Sequence, residues 1–507
     1  MRNKTIINVC YILTLFYLLT GLILSSQVPL NWDSSIIIDG SYRIFLGQAP
    51  HTDFSSNIGF LVFLLGSIGF IFGLDGPYAS IFFGFYIFYL LIIGWISYRL
   101  LIINKLGYMV MVPIIFILSL AFTHRIGGYD ALTIGHTGLY NDIGNFLITI
   151  MCLQLFVVFS YEKNRIYKKD IIFLAVILAF LFIGKITFFL VALPVLSLLL
   201  IKDVKALIKL LFLSLGLVLI VYYILGVSVT DVIADINLTA QNKNIFNILF
   251  SLENLKLHIL GSPIQYYFAV IIATFGLIRL NVVSILQGVG VGLTVIILSY
   301  LLSTTNGQKP EPFLPVLYSL IFIMYMSSLL FTNKMHKAIS TGLLLSLIIS
   351  VILVSERIVL NTKANIEWIS YHLHDLYTDT NEFITRITPN PEYNIACIEP
   401  YIKHKASKII SVGSNNIFSH YFKLEPPQKT LLYWHNRVTF SEIAAKQNKL
   451  LLSERVLSDA NLIFFDITKH RGSVAVDVFK RIYGDYLKIN FFEAKNTDSC
   501  VVLVRKK

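Results

Sequence analysis

Charge is what this chain has least of. Only 14% of its 507 residues are Asp, Glu, Lys or Arg, against 56% that are hydrophobic, where a soluble domain carries about 25% charged residues. Over such a length that deficit excludes an ordinary soluble enzyme, a disordered protein and a fibrous one. Cysteine is also scarce. Cys10, Cys152, Cys397 and Cys500 are too few and too scattered for a disulfide framework or a zinc cluster. No internal repeat or low-complexity tract stands out, and no His pair has the spacing of a metal motif. Neither a metal nor a cofactor is therefore expected.

What the chain has instead is apolar runs, rich in its 38 Phe and 27 Tyr. A transmembrane helix needs about 20 mainly apolar residues. Runs of this kind lie at 5–26, 78–98, 109–122, 142–160, 171–184, 186–201, 206–226, 264–280, 282–302, 313–331 and 338–359. They predict a polytopic α-helical membrane protein with about 11 transmembrane helices. The first run is longer than a signal-peptide core and no A-x-A site follows it, so it reads as a retained helix. A further run at 57–73 is short and holds Gly59, Gly66, Gly69 and Gly73. It reads as a helix lying at the membrane surface, because only then do the basic residues sort.

With Arg2 and Lys4 inside, alternate loops carry Arg99 and Lys105, then Lys163, Arg165, Lys168 and Lys169, then Lys202, Lys205 and Lys209, then Arg279, Lys334 and Lys337. The opposite loops hold most of the acids, among them Asp33, Asp39, Asp53, Asp130 and Asp235. That is the positive-inside bias. It accounts for much of the formal net charge of +12 without invoking nucleic acid. The composition shifts near residue 361, leaving residues 1–360 as the membrane domain. In 361–507, β-type runs at 393–399, 408–414, 431–435, 461–467 and 500–505 alternate with helix-like stretches at 439–457 and 474–484. This predicts a small α/β domain, exterior to the membrane, with Cys397 and Cys500 on strands that would form a disulfide if they were neighbours.

Ionisable residues near spans are costly and mark functional candidates. The densest group is the first exterior loop: Trp32, Asp33, Asp39, Tyr42, Arg43, His51 and Asp53. Residues 34–46 suit an interfacial amphipathic helix, broken by Gly47-Gln48-Ala49-Pro50. A second exterior loop, 123–141, holds His124, Arg125 and Asp130 among glycines, and Arg with His suits phosphate or sugar. Lys185 sits between two short apolar runs in Gly184-Lys185-Ile186-Thr187, which would set an ammonium at the level of a lipid phosphate. Solvated loop acids and a snorkelling lysine are the plainer readings of the same residues.

Trp32-Asp33, Asp39-Gly40-Ser41-Tyr42-Arg43 and Gly47-Gln48-Ala49-Pro50-His51-Thr52-Asp53-Phe54, followed by a Gly-rich apolar helix, resemble the first exterior loop of GT-C type glycosyltransferases. The family 39-type enzymes, which include protein O-mannosyltransferases and lipid A aminoarabinose transferases, are the nearest in pattern. The resemblance implies that Asp33 or Asp39 is a catalytic base, and that the short helix after it is juxtamembrane. It further implies that the Lys185 turn and the His124-Arg125 loop with Asp130 serve the same site, with Asp53, Tyr42 and Arg43 binding substrate. The implied partners are a polyprenyl-phosphate-linked sugar donor, a glycan, lipid or protein acceptor, and the lipid bilayer. Three rival readings stand beside the resemblance. One is a secondary transporter, which would show repeated halves that this sequence lacks. The others are a polysaccharide polymerase or ligase, which would use a large late exterior loop, and a non-catalytic relative that binds a polyprenyl lipid. The sequence departs from the family pattern at two points. Asp39 is followed by Gly40 rather than Glu, and Asn57-Ile58-Gly59 stands where a double Pro is usual.

Overall fold

The computed structural model describes residues 32–56, 58–74, 166–201, 203–243 and 284–306, much of 391–506, and scattered positions in 83–99, 140–158 and 251–278. The expected spans at 5–26, 109–122, 313–331 and 338–359 lie outside the described residues, as does 101–139 with its loop at 123–139.

The described chain begins with α1 (Trp32–Phe45), which the Gly-Pro break ends as expected. Gly47 supplies the left-handed turn at φ 84°. A two-residue strand β1 (Phe54–Ser55) and the apolar helix α2 (Leu61–Ile71) follow. With 11 residues, α2 is about 16 Å long, half of the roughly 30 Å hydrocarbon core. It packs closely on both sides. A Cβ on Gly40 of α1 would come within 2.6 Å of the fully buried Phe63 ring, and one on Gly59 would overlap the carbonyl oxygen of Gly184. Glycine is therefore a packing requirement at 40 and at 59, since neither place has room for a side chain.

Helices α3 (Lys168–Gly184) and α4 (Ile186–Leu199) meet at Lys185, whose extended backbone breaks the helical run. Next come α5 (Val204–Leu225), α6 (Val229–Lys243) and α7 (Ile285–Asn306). Asp203 caps α5 through the Ala206 amide at 3.0 Å, and Gly226 ends it in the left-handed conformation. At 22 residues, α5 is the one helix among the described residues long and apolar enough to cross a membrane.

The C-terminal part holds α8 (Pro391–Ile398), β2 (Ile409–Val412), α9 (Phe418–Tyr421), β3 (Thr430–Leu431), α10 (Glu442–Gln447), α11 (Ser453–Val456), β4 (Leu462–Asp466), α12 (His470–Asn490), β5 (Phe491–Asn496) and β6 (Cys500–Arg505). Four strands form a mixed sheet in the order β2-β4-β6-β5, parallel between β2 and β4 and antiparallel elsewhere. Helix α12 packs on it through Phe479 and Tyr483, which surround Trp434 at 4.7 and 5.7 Å between ring centres.

Two expectations are corrected here. The run 393–399 is not a strand but falls largely in helix α8, which opens on Pro391, a residue whose fixed φ suits a first helical turn. Cys397 is accordingly helical. It is nonetheless bonded to Cys500 on β6, with Cα atoms 6.8 Å apart. Strand β5 was not expected because it is an edge, paired only with β6 and largely exposed, so no apolar alternation marks it.

Candidate functional site

Helix α1 carries two acidic candidates. Asp33 lies in its first turn, and Asp39 lies six residues on. Asp39 and Arg43 are both completely buried and paired, Nε to Oδ2, at 2.9 Å. The spacing of four residues puts the two on one helical face. Arg43 uses its Nη1 elsewhere, donating to Gln48 Oε1 at 3.1 Å and to the backbone carbonyl of Pro427 at 2.8 Å. Its guanidinium also lies 5.5 Å from the centre of the Phe54 ring. Tyr42, buried beside them, meets Phe70 of α2 and His420 of α9 edge-on at 5.8 and 5.3 Å.

The carbonyl of Pro427 belongs to a segment, 423–432, that crosses the first loop like a strap. Gln48 donates to the carbonyl of Pro426 at 2.8 Å. The Lys429 amide donates to the carbonyl of Asp53, and the Leu432 amide to that of Ser55 at 2.9 Å. Strands β1 and β3 pair in parallel, Phe54 opposite Thr430 and Ser55 opposite Leu431. The first loop and the C-terminal sheet domain are thus joined by backbone ladder and by one charge-assisted hydrogen bond, from Arg43 to Pro427, which is among the stronger kind. Between the end of α1 and the strap lies a cleft of about 400 Å3, lined by Tyr42, Leu46, Gln48, Lys423, Glu425 and Gln428.

The loop is braced from within. Asp53 accepts from the Ala49 amide at 2.7 Å. His51, left-handed at φ 65°, is bonded through Nδ1 to Asp235 of α6 at 2.8 Å, and the same carboxylate oxygen accepts from the Ser56 amide at 3.0 Å. Both His51 and Asp235 are buried. Sequence reasoning placed them in separate loops and did not pair them. Their separation of 184 positions leaves no local pattern to read.

Lys185 lies 4.3 Å from the centre of the Tyr140 ring, within cation–π range. It lines a separate space of about 10 Å3 with Leu61, Val62, Gly144 and Phe188, room for no more than one water. The structure therefore brings Asp39, Tyr42, Arg43 and Asp53 together in one loop, and sets Lys185 on the other flank of α2. It does not gather them around one cavity. His124, Arg125 and Asp130 lie outside the described residues. Among the described residues no group of three or more His, Cys, Asp or Glu is arranged to hold a metal ion. Comparison with protein families, with curated proteins and with solved structures finds no match to this chain.

Proposed function

We propose that this chain is a membrane glycosyltransferase of GT-C-like architecture, with about 11 crossings and an exterior C-terminal domain. It would move a sugar from a polyprenyl-phosphate donor to an acceptor hydroxyl of a glycan, lipid or protein at the exterior face. The observation that carries this reading is the contact of three parts that the resemblance ties together. The acidic helix α1 packs through Gly40 on α2, and the approach to α2 packs through Gly59 on the Gly184-Lys185 turn. The helix between them is too short to span. The Cys397–Cys500 disulfide adds weak support for an oxidising, exterior location of the C-terminal domain.

The chemistry needs one base. In a single in-line displacement the acceptor hydroxyl gives its proton to a carboxylate, and the lipid phosphate leaves stabilised by a cation, a role the resemblance gives to Lys185 and Arg125. The separate small space that Lys185 lines counts against its part in it. Asp33 and Asp39 are six residues apart on α1; one is the base, and the other binds the sugar or positions the acceptor. A second reading keeps the lipid and drops the transfer: a relative that binds a polyprenyl lipid without catalysis. The burial of Asp39 against Arg43 favours that reading. Mass spectrometry of lipid extracts from cells lacking the protein separates the two. Accumulation of a sugar-linked polyprenyl phosphate is the result expected of a transferase, and an unchanged lipid profile would remove the proposal. A reporter fused after Lys507 should be active only on the exterior side.

A further inference from the structure

The outer wall of the cleft between α1 and the strap is the exposed side chains of Lys423, Glu425 and Gln428, and the backbone behind them is held at several points. The Pro426 and Pro427 carbonyls accept from Gln48 and Arg43. The Gln428 amide donates to Asp459 at 2.8 Å, and Lys408 bridges Glu425 and Asp459 at 3.2 and 3.0 Å. Burial, which disfavours the Lys408 ammonium, is outweighed by these two carboxylates, and its pKa is held above the ordinary lysine value. A wall fixed in this way presents its polar groups without an ordering cost on binding.

Lys423 supplies an independent observation. It takes the left-handed conformation, φ 52°, just past the end of α9. Glycine adopts that conformation freely, whereas a residue with a Cβ does so at a cost. That backbone sets the Lys423 side chain on the lining of the cleft.

We propose that this cleft binds a neutral polyhydroxylated group, the saccharide of the acceptor. Its volume of about 400 Å3 falls in the range of roughly 300–1,000 Å3 found for small-molecule sites. Two ammoniums, Lys423 and Lys408, stand against two carboxylates, Glu425 and Asp459, so the charge around the cleft is balanced and neither a phosphate nor an amine is favoured. The exposed carboxamide of Gln428 offers a donor and an acceptor together, as vicinal hydroxyls require. It does so over a floor where the Gln48 carboxamide is held by Pro426 and Arg43, and Leu46 offers apolar surface. That the bound saccharide is an acceptor rests on the transferase reading. That the cleft binds saccharide does not.

The test uses the full chain in lipid nanodiscs. Hydrogen exchange of peptides covering 423–428 is followed while mannose, galactose, N-acetylglucosamine and their β-linked disaccharides are titrated, with glucuronic acid and inorganic phosphate as charged probes. A neutral sugar should protect these peptides. Lys423→Gly should weaken that binding at least fivefold without lowering the thermal midpoint, because it relieves the backbone, and Gln428→Ala should weaken it to a similar degree. In a transfer assay both variants should raise the acceptor KM at least fivefold, with kcat and the donor KM unchanged. If no transfer occurs but sugar binding responds to both variants, the transferase reading fails and the cleft assignment stands. The assignment is overturned if no neutral sugar protects 423–428 at millimolar concentration, if phosphate alone does so, or if both variants bind as the unmodified chain does.

Discussion

Two fully buried ion pairs sit in different parts of this protein and work differently. Asp39 and Arg43 are four residues apart on one helix. Arg99 and Asp170 are 71 residues apart in the helical region, Nη2 to Oδ1 at 2.7 Å, and Asp170 also accepts from Gln154 at 2.7 Å and from the Tyr167 amide at 3.1 Å. Each buried ion costs several kcal/mol to desolvate, and only good geometry with further hydrogen bonds repays it. The further bonds show what each pair is for. Those of Arg43 run to Gln48 and the strap, joining the first loop to the C-terminal domain. Those of Asp170 stay among the helical segments and the first turn of α3. One pair couples parts and the other clamps a bundle. Arg99 consequently counts for less in the loop-charge bias than its position suggests, because a carboxylate neutralises it.

The comparison can be broken most sharply by removing each cation. Arg99→Ala and Arg43→Ala should each cost about 3–5 kcal/mol by stranding a buried carboxylate, measured by unfolding in detergent. Only Arg43→Ala should raise amide exchange across 424–432, and equal exchange in the two variants would erase the distinction. Replacing both partners by apolar residues is often close to neutral for a buried pair. Arg99→Met with Asp170→Leu should therefore recover most of the loss, whereas Arg43→Met with Asp39→Leu should leave the strap loose, since Pro427 has lost its donor.

A smaller effect isolates the C-terminal domain. Cys500→Ser should cost about 2–5 kcal/mol, as expected for a bridge spanning 103 residues, and should lower the melting of the sheet domain without changing exchange near Arg99. Gln48→Ala, which removes a bond to Pro426 and one to Arg43, should cost about 1–3 kcal/mol and loosen the strap partially. Smallest is an alkaline effect. Burial pushes the Tyr483 hydroxyl above its ordinary pKa of 10, and that hydroxyl donates to the Leu451 carbonyl. The folded state therefore favours the neutral phenol. The stability this gives is complete below about pH 10 and is lost as pH rises through the folded pKa. Tyr483→Phe should flatten that alkaline decline.

Local patterns were legible in the sequence and long-range pairings were not. The 3.6-residue period and the Gly-Pro break located α1 and its end, and the apolar runs located α3, α4, α5 and α7. Three of the five β-type runs, at 408–414, 461–467 and 500–505, contain strands β2, β4 and β6, and the run at 431–435 meets β3 only at Leu431. The fifth became a helix because Pro391 starts one. The strap could not be read, because β1 and β3 are two residues each and their partners are separated by more than 370 positions. The His51–Asp235 and Arg99–Asp170 pairs were hidden for the same reason. Of the site, Asp39 with Arg43 was legible from its spacing of four. The burial that makes that pair a joint rather than an open acid comes from residues 426 and 427.

The central claim is that the first loop carries glycosyl transfer. Purified unmodified protein, Asp33→Asn and Asp39→Asn should be compared for turnover of a polyprenyl-phosphate sugar, once the donor is known from lipid extracts. One of the two substitutions should lower kcat by about 10²–10⁴-fold, the contribution expected of a general base, while the other changes it far less. Turnover is read per folded molecule, because Asp39→Asn leaves the buried Arg43 charge uncompensated and costs stability as Arg43→Ala does. If both variants transfer sugar at the unmodified rate, the loop is not catalytic and the account is contradicted.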